Sequence, residues 1–111
     1  MTEAEWKLWS RYRPLAVERL YERLRRQMMA AAKDDSVPAR EHFQTVRNLC
    51  NQGNEEVVRV FDNFPHSRGH ASIGLQAAYV RGLVTEEEVA SFSEETQAKL
   101  REASKYFNRA G

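Results

Sequence analysis

An unbroken stripe of apolar residues at helical spacing is the feature of this sequence that most restricts its fold. It consists of Val17, Leu20, Tyr21, Leu24, Met28 and Ala31. This spacing places the side chains on one face of an α-helix from Pro14 to about Lys33, since proline is compatible with a first helical turn. Residues 1–13 then form either a separate short N-terminal helix or, if Pro14 marks a kink, the start of the same helix.

The rest of the chain also shows helical periodicity, and no segment alternates as a strand would. A helix is predicted from about residue 39 to 50, with Ala39, Phe43, Val46 and Cys50 buried. The following Asn51-Gln52-Gly53-Asn54 indicates a stop, with Gly53 able to adopt positive φ and Asn54 able to cap a new helix. That shorter helix is expected over residues 55–64.

The segment from about residue 68 to 83 is apolar on two sides. Seen along a helix, one side carries Ala71, Gly74, Leu75, Ala78, Tyr79 and Gly82, and the other carries Ile73, Ala77, Val80 and Val84. A helix that is apolar on both faces is typical of the centre of a fold. We therefore predict that it is buried on two faces, with Ser67 as its N-terminal cap.

The strongest local signal follows at Val84-Thr85-Glu86-Glu87-Glu88-Val89. Thr85 and Glu88 have the spacing of a capping box, and Val84 and Val89 occupy the positions of a hydrophobic staple. A helix start explains the three glutamates here without a catalytic role. Together these segments predict one all-α domain over residues 1–111, a compact orthogonal bundle of five to six helices.

Composition and charge narrow the classes of function. The chain has 111 residues, a formal net charge of +1 and a single cysteine. A lone cysteine, no apolar run of membrane-spanning length and no leader pattern favour a cytoplasmic protein that does not enter a membrane. Residues 1–33 carry a net charge of +4 and residues 84–102 a net charge of −4, which would suit an intramolecular match, self-association or two different partners.

No catalytic constellation is indicated by the sequence. Cys50 is expected to be an inert core thiol, and His66 and His70 have metal-ligand spacing only if both lie on one helix, which Pro65 opposes. Ser67-Arg68-Gly69 could hold an anion at a helix start, but a structural cap is the preferred interpretation. We predict no enzyme activity, no metal and no cofactor.

Arginine-rich faces are the candidate contacts for nucleic acid or another anion. Arginine outnumbers lysine 13 to 4, which favours bidentate contacts to phosphate or carboxylate. One face lies on the long helix and a second, spaced at i, i+4, i+7 and i+11, on the next helix. The candidate residues are Arg19, Arg23, Arg26, Arg40, Gln44, Arg47 and Arg68.

The aromatic N-terminal segment has two interpretations, either anchoring in the core or forming a partner interface. The candidate interface residues are Trp6, Trp9, Arg11, Tyr12 and Arg13. We predict a non-enzymatic helical protein that binds a macromolecular partner as a small subunit or regulator of a protein assembly, with a protein partner or a second copy of the chain as ligand. The alternative is a subunit that binds the nucleic-acid backbone independently of sequence.

Overall fold

The computed structural model describes the backbone of residues 1–110 and the side chains of residues 1–107. Within these residues the chain forms five α-helices and no strand, which confirms the all-α prediction. The helices are α1 (Glu3–Lys33), α2 (Ala39–Val57), α3 (Ala71–Val80), α4 (Glu86–Ala90) and α5 (Glu94–Ala110), and a π-helical turn (Val58–Asp62) continues α2.

The first helix is longer than the sequence pattern indicated. A capping box of Thr2 and Glu5 starts α1, and the helix passes through Pro14 without a break. Proline at this position removes only the one hydrogen bond that its N–H would donate to the carbonyl of Ser10. Residues 3–13 and the predicted long helix are therefore one element, which carries the N-terminal aromatic residues and the long apolar stripe on the same rod.

The molecule is elongated, and the prediction of a compact bundle is wrong in this respect. Its principal extents are 53 × 27 × 24 Å, and at 1.5 Å per residue the 31 residues of α1 alone span about 46 Å. The first half of α1 packs in the base of the molecule with α3 to α5. Its second half packs mainly on α2, which has no other substantial helical neighbour besides its own π-helical continuation.

The hydrophobic core lies in that base. It is built from every helix and from the connections on both sides of α3, and its largest fully buried side chains are Trp9, Leu20, Val60, Leu75, Leu83, Val89 and Leu100. Trp9 lies close to α3, where a methyl group built on Gly74 would sit 3.7 Å from the indole nitrogen. One side of the N-terminal aromatic segment is thus part of the core.

The third helix differs from the predicted central helix in its start and in its outer face. It begins at Ala71, and Ser67 instead forms a turn in which its carbonyl accepts from the His70 amide. One face is buried, but Ile73 on the other is 49% exposed, because no helix covers that face completely. α3 ends at Val80, and Gly82 beyond it has a φ of 71°, the left-handed conformation that closes a Schellman motif.

The second helix also departs from the prediction. It runs through Gly53 without a stop, and Ala39, Phe43 and Cys50, predicted to be buried, are exposed. The covered side of α2 is rotated toward α1, where Gly53 and Val57 are buried and Leu49 is half-buried. A helix with one neighbour can bury only the face turned to that neighbour, so the apolar edge beside it stays open.

The fourth helix confirms the predicted capping box. The Thr85 hydroxyl accepts from the Glu88 amide at 3.1 Å, and the Glu88 carboxylate accepts from the Thr85 amide at 3.0 Å. Val84 and Val89 are both buried, as expected for the staple positions. This short helix closes the base against α1.

Candidate functional site

A two-helix arm projects from the base of the molecule. We define the arm as residues 21–57, which comprise the second half of α1, the turn of residues 34–38 and α2. Near its tip, His42 Nε2 donates a hydrogen bond of 2.8 Å to the carbonyl oxygen of Ala31. Nearer the base, the two helices touch at Gly53, where a methyl group would come within 3.1 Å of Leu24 Cδ2. The missing side chain at Gly53 therefore lets α1 and α2 approach closely.

An open apolar groove runs along one side of the arm between its two helices. It has a volume of about 540 Å³ and is lined by Tyr21, Leu24, Arg25, Met28, Met29, Leu49, Cys50, Gly53, Asn54 and Val57. Tyr21 and Met29 are each about half exposed, at 50% and 51%, and Met28 is 38% exposed. Methionine side chains are flexible and polarizable, a property common in surfaces that accept apolar partners.

The apolar surface extends beyond the groove toward the tip of the arm. Phe43 is 67% exposed and lies two turns before Cys50 on the same side of α2. From Phe43 to Val57 the surface is about 21 Å long at 1.5 Å per residue. That length matches about four turns of a partner helix.

Arginines flank this surface on both helices. On α1, Arg25 lines the groove and forms an ion pair with Glu22. On α2, Arg47 follows Phe43 by four residues, which places it about 40° farther around the helix. Arg40 and Arg47 are both exposed, and no carboxylate in the described part of the chain forms an ion pair with either. Gln44 and Asn51 complete this exposed polar stripe.

Two arginines of α1 outside the groove form ion pairs with acids of the same molecule. Arg19 forms a bidentate pair with Glu88, with N–O distances of 2.7 and 3.0 Å, and also donates to the Leu83 carbonyl at 2.9 Å. Arg26 pairs with Glu22 at 3.3 Å. Arg23 lies half-buried beside Gly82 in a shallow depression that is also lined by Glu18 and Glu22.

The Arg19–Glu88 pair links the basic N-terminal segment to the acidic one. Burial by itself raises the pKa of the Glu88 carboxyl, but hydrogen bonds from Arg19 and Thr85 lower this pKa below its usual value. The bond to Glu88 correspondingly raises the pKa of Arg19. The structure thus contains an intramolecular contact between the basic and the acidic segments, one of the explanations considered for the uneven charge distribution. In this contact one glutamate both caps α4 and holds it on α1.

Arg68, the last of the arginine candidates, belongs to a cluster that connects the loop after the π-helical turn to α1. Arg68 forms a bidentate pair with Glu3 at 2.8 and 3.1 Å, and its guanidinium lies 5.2 Å from the centre of the Trp6 ring. The same indole stacks on His66 with 4.5 Å between ring centroids. Burial, followed by the nearby positive charge of Arg13, lowers the pKa of His66.

The aromatic candidates for a partner interface pack on the chain's own base. Trp9 is only 1% exposed, and the Tyr12 hydroxyl donates to Ser91 Oγ at 3.1 Å. The Arg13 guanidinium lies 5.4 Å from the centre of the Phe61 ring. Arg11 alone among the five candidates is exposed.

The histidine pair does not converge on a common point. His66 Nε2 lies 3.1 Å from Ser10 Oγ, whereas His70 Nδ1 lies 2.9 Å from Ser67 Oγ. No group of three metal-ligating side chains comes together in the residues that the structure describes.

Among the described helices, none combines the length and the hydrophobicity that a membrane-spanning helix requires.

Comparison of the chain with protein-family models, with curated proteins and with solved structures gives no match. The candidate site therefore depends on the geometry of the arm alone.

The groove was missed by sequence reasoning although both of its walls were recognised as apolar. Tyr21 and Met28 belong to the stripe of the long helix, and Phe43 and Cys50 to the stripe of the next helix. Periodicity shows that a face is apolar, but not whether another helix covers it. The number of helices was the available signal. α3, α4 and α5 all contribute buried residues to the same core as Trp9 and Leu20, so no further helix is left to cover the arm.

Proposed function

We propose that this chain is a non-enzymatic binding subunit whose arm receives an amphipathic helix of a protein partner. The single observation that supports the proposal is the open apolar groove between α1 and α2. A third helix placed there would convert a two-helix hairpin into a three-helix unit. Its apolar residues, spaced at i, i+3, i+4 and i+7, would contact Tyr21, Met28 and Cys50 and remove them from water.

Apolar area left in water on the arm favours the binding of a partner. Phe43, Met29 and Tyr21 are each at least half exposed and lie on one side of a single two-helix element. Burying apolar surface contributes about 25 cal/mol per Å². Contiguous apolar patches on a monomer are typical of sites that bind another molecule.

A second apolar patch is a weaker candidate. It lies between α3 and α5, has a volume of about 340 Å³ and includes Ile73, Val80 and Phe107. Arg81 covers part of it, with its guanidinium 5.5 Å from the centre of the Phe107 ring. The arm groove is larger and lies on an element that has only one packing neighbour, so we assign the docking site to the arm.

Site-specific photo-crosslinking in the native host would find the partner, and a purified complex would then test the site. A crosslinking amino acid at Phe43 should capture a protein that the same amino acid at Tyr106 does not. With that protein purified, Met28→Glu should weaken binding at least 100-fold by calorimetry, because it places a charge in the apolar groove. Ile73→Glu on the other patch is the matched control and should leave the affinity within about twofold.

Equal affinities of the wild type and Met28→Glu would contradict the proposal. Circular dichroism and thermal unfolding should confirm that both variants remain folded, since Met28 and Ile73 are already exposed.

Contact with a nucleic-acid backbone is the second candidate function, supported by the unpaired Arg40 and Arg47. Two phosphate contacts would give a slope of log K against log salt of about −2. Fluorescence anisotropy with single- and double-stranded 20-mers at about 50 mM salt should then show binding that Arg40→Glu with Arg47→Glu removes. No binding to either probe at that salt concentration would eliminate this candidate.

A further inference from the structure

We infer that the helix received by the arm is acidic on the flanks of its apolar face, an inference that rests on the proposed protein-binding function. The groove itself carries one charged residue, Arg25. Arg40 and Arg47 lie on α2 beyond the edge of the groove, and neither has an ion-pair partner in the described residues. A helix in the groove would thus have arginines along both of its sides.

Geometry places these charges where the flanks of a bound helix would lie. Arg47 is exposed and displaced by about 40° from Phe43 around α2, which places it at the edge of the apolar surface. Arg40 is seven residues earlier, two turns nearer the tip on the same side. Glutamates seven residues apart on the bound helix would match this repeat, and guanidinium groups bind carboxylates in bidentate geometry.

Charge also argues against a second copy of this chain as the occupant. In a two-fold dimer the same surface is present on both sides of the interface. Packing groove against groove would bring the surface of one copy that carries Arg25, Arg40 and Arg47 against the same arginine-bearing surface of the other. Like charges across an interface suppress association, whereas an acidic helix neutralises them.

A displayed library of helical peptides tests the inference without knowledge of the natural partner. Each peptide would have about 18 residues, a fixed apolar face with leucine at i, i+3, i+4 and i+7, and glutamate, glutamine or lysine allowed at the flanking positions. Selection on the full chain should enrich glutamate at the flanks. Selection on the Arg40→Glu, Arg47→Glu double variant should enrich lysine at the positions that face residues 40 and 47.

Affinities of one selected peptide give the quantitative check. The double variant should bind the glutamate-flanked peptide about tenfold more weakly, as expected for two partly exposed ion pairs. Raising salt from about 0.05 to 0.5 M should weaken the wild-type complex in the same direction, because surface ion pairs are screened. Lys99→Glu with Lys105→Glu on α5 is the matched control and should change the affinity by less than twofold.

The other outcomes separate this inference from the proposed function. Selection that Met28→Glu abolishes but that shows no preference for glutamate would overturn the acidic partner and leave the groove as a docking site. Selection unchanged by Met28→Glu, or no selected peptide at all, would overturn both. A dimer by light scattering that Met28→Glu converts to a monomer would identify a second copy as the occupant and would also overturn the inference.

Discussion

Replacing Trp9 with alanine is expected to lower the free energy of unfolding by about 3–5 kcal/mol, the range found when a large aromatic side chain is removed from a core. Trp9 is 1% exposed and packs against α3 beside Gly74. Its removal leaves a cavity at the junction of α1 and α3 that these helices can fill only by moving. Urea unfolding followed by circular dichroism measures the effect.

Trp6→Ala is the matched control, because it removes the same side chain three residues away. Trp6 is half-buried and loses mainly its stack on His66 and its contact with Arg68, so the expected cost is about 1 kcal/mol. Equal costs for the two variants would contradict the placement of Trp9 in the core and Trp6 at its edge.

Glu88→Ala is expected to lower the free energy of unfolding by about 3 kcal/mol, for two reasons. It removes the side chain that completes the capping box of α4, a contribution of about 1 kcal/mol. It also leaves the Arg19 guanidinium without its carboxylate, and breaking a buried pair from one side costs several kcal/mol, here reduced because Arg19 is 34% exposed. Glu87→Ala, in the same turn but exposed, should cost no more than about 0.5 kcal/mol.

A double-mutant cycle with Arg19→Ala isolates the pair. We expect a coupling of about 1–2 kcal/mol between the two positions. Additive effects would show that the pair contributes nothing beyond its separate contacts.

The pH dependence of stability follows from the same carboxylate. Because its pKa is lower in the folded chain than the usual 4.5, Glu88 stabilises the fold above pH 4.5, and this contribution is lost as the pH falls through the folded-state pKa. Glu88→Gln should therefore reduce the loss of stability below pH 4.5.

The pKa of His66 is lowered from 6.5, so its protonation opposes folding as the pH falls below 6.5.

Local signals in the sequence predicted the base of the molecule well. Thr85 and Glu88 form the predicted capping box, and most of the predicted central helix is helical as α3 (Ala71–Val80). The capping box of Thr2 and Glu5 has the same sequence signature. Such features depend on residues within one or two turns, which is why a single sequence specifies them.

Features that depend on neighbours in space were not predictable in the same way. Gly53 reads locally as a helix stop, but close contact with Leu24 keeps it inside α2. Phe43 and Cys50 are apolar at helical spacing, yet they are exposed because α2 has only α1 beside it. Arg19 has the spacing of a free basic face, and only the fold shows that Glu88 neutralises it.

The packed base and the open arm are expected to respond differently to substitution. Trp9 and the Arg19–Glu88 pair fix the first half of α1 within the base. The second half of the same helix then extends away from that core and carries one wall of the groove. Substitutions in the base should change stability, whereas substitutions on the arm surface should change partner binding with little effect on stability.

Amide chemical-shift mapping tests the arm as a docking site most directly. A ¹⁵N-labelled full chain would be titrated with the purified partner helix or with the selected glutamate-flanked peptide. The arm proposal predicts that the largest shifts fall within residues 21–29 and 43–57, while Ile73 and Tyr106 stay unchanged. Shifts centred on the α3 and α5 patch, with the arm unaffected, would contradict it.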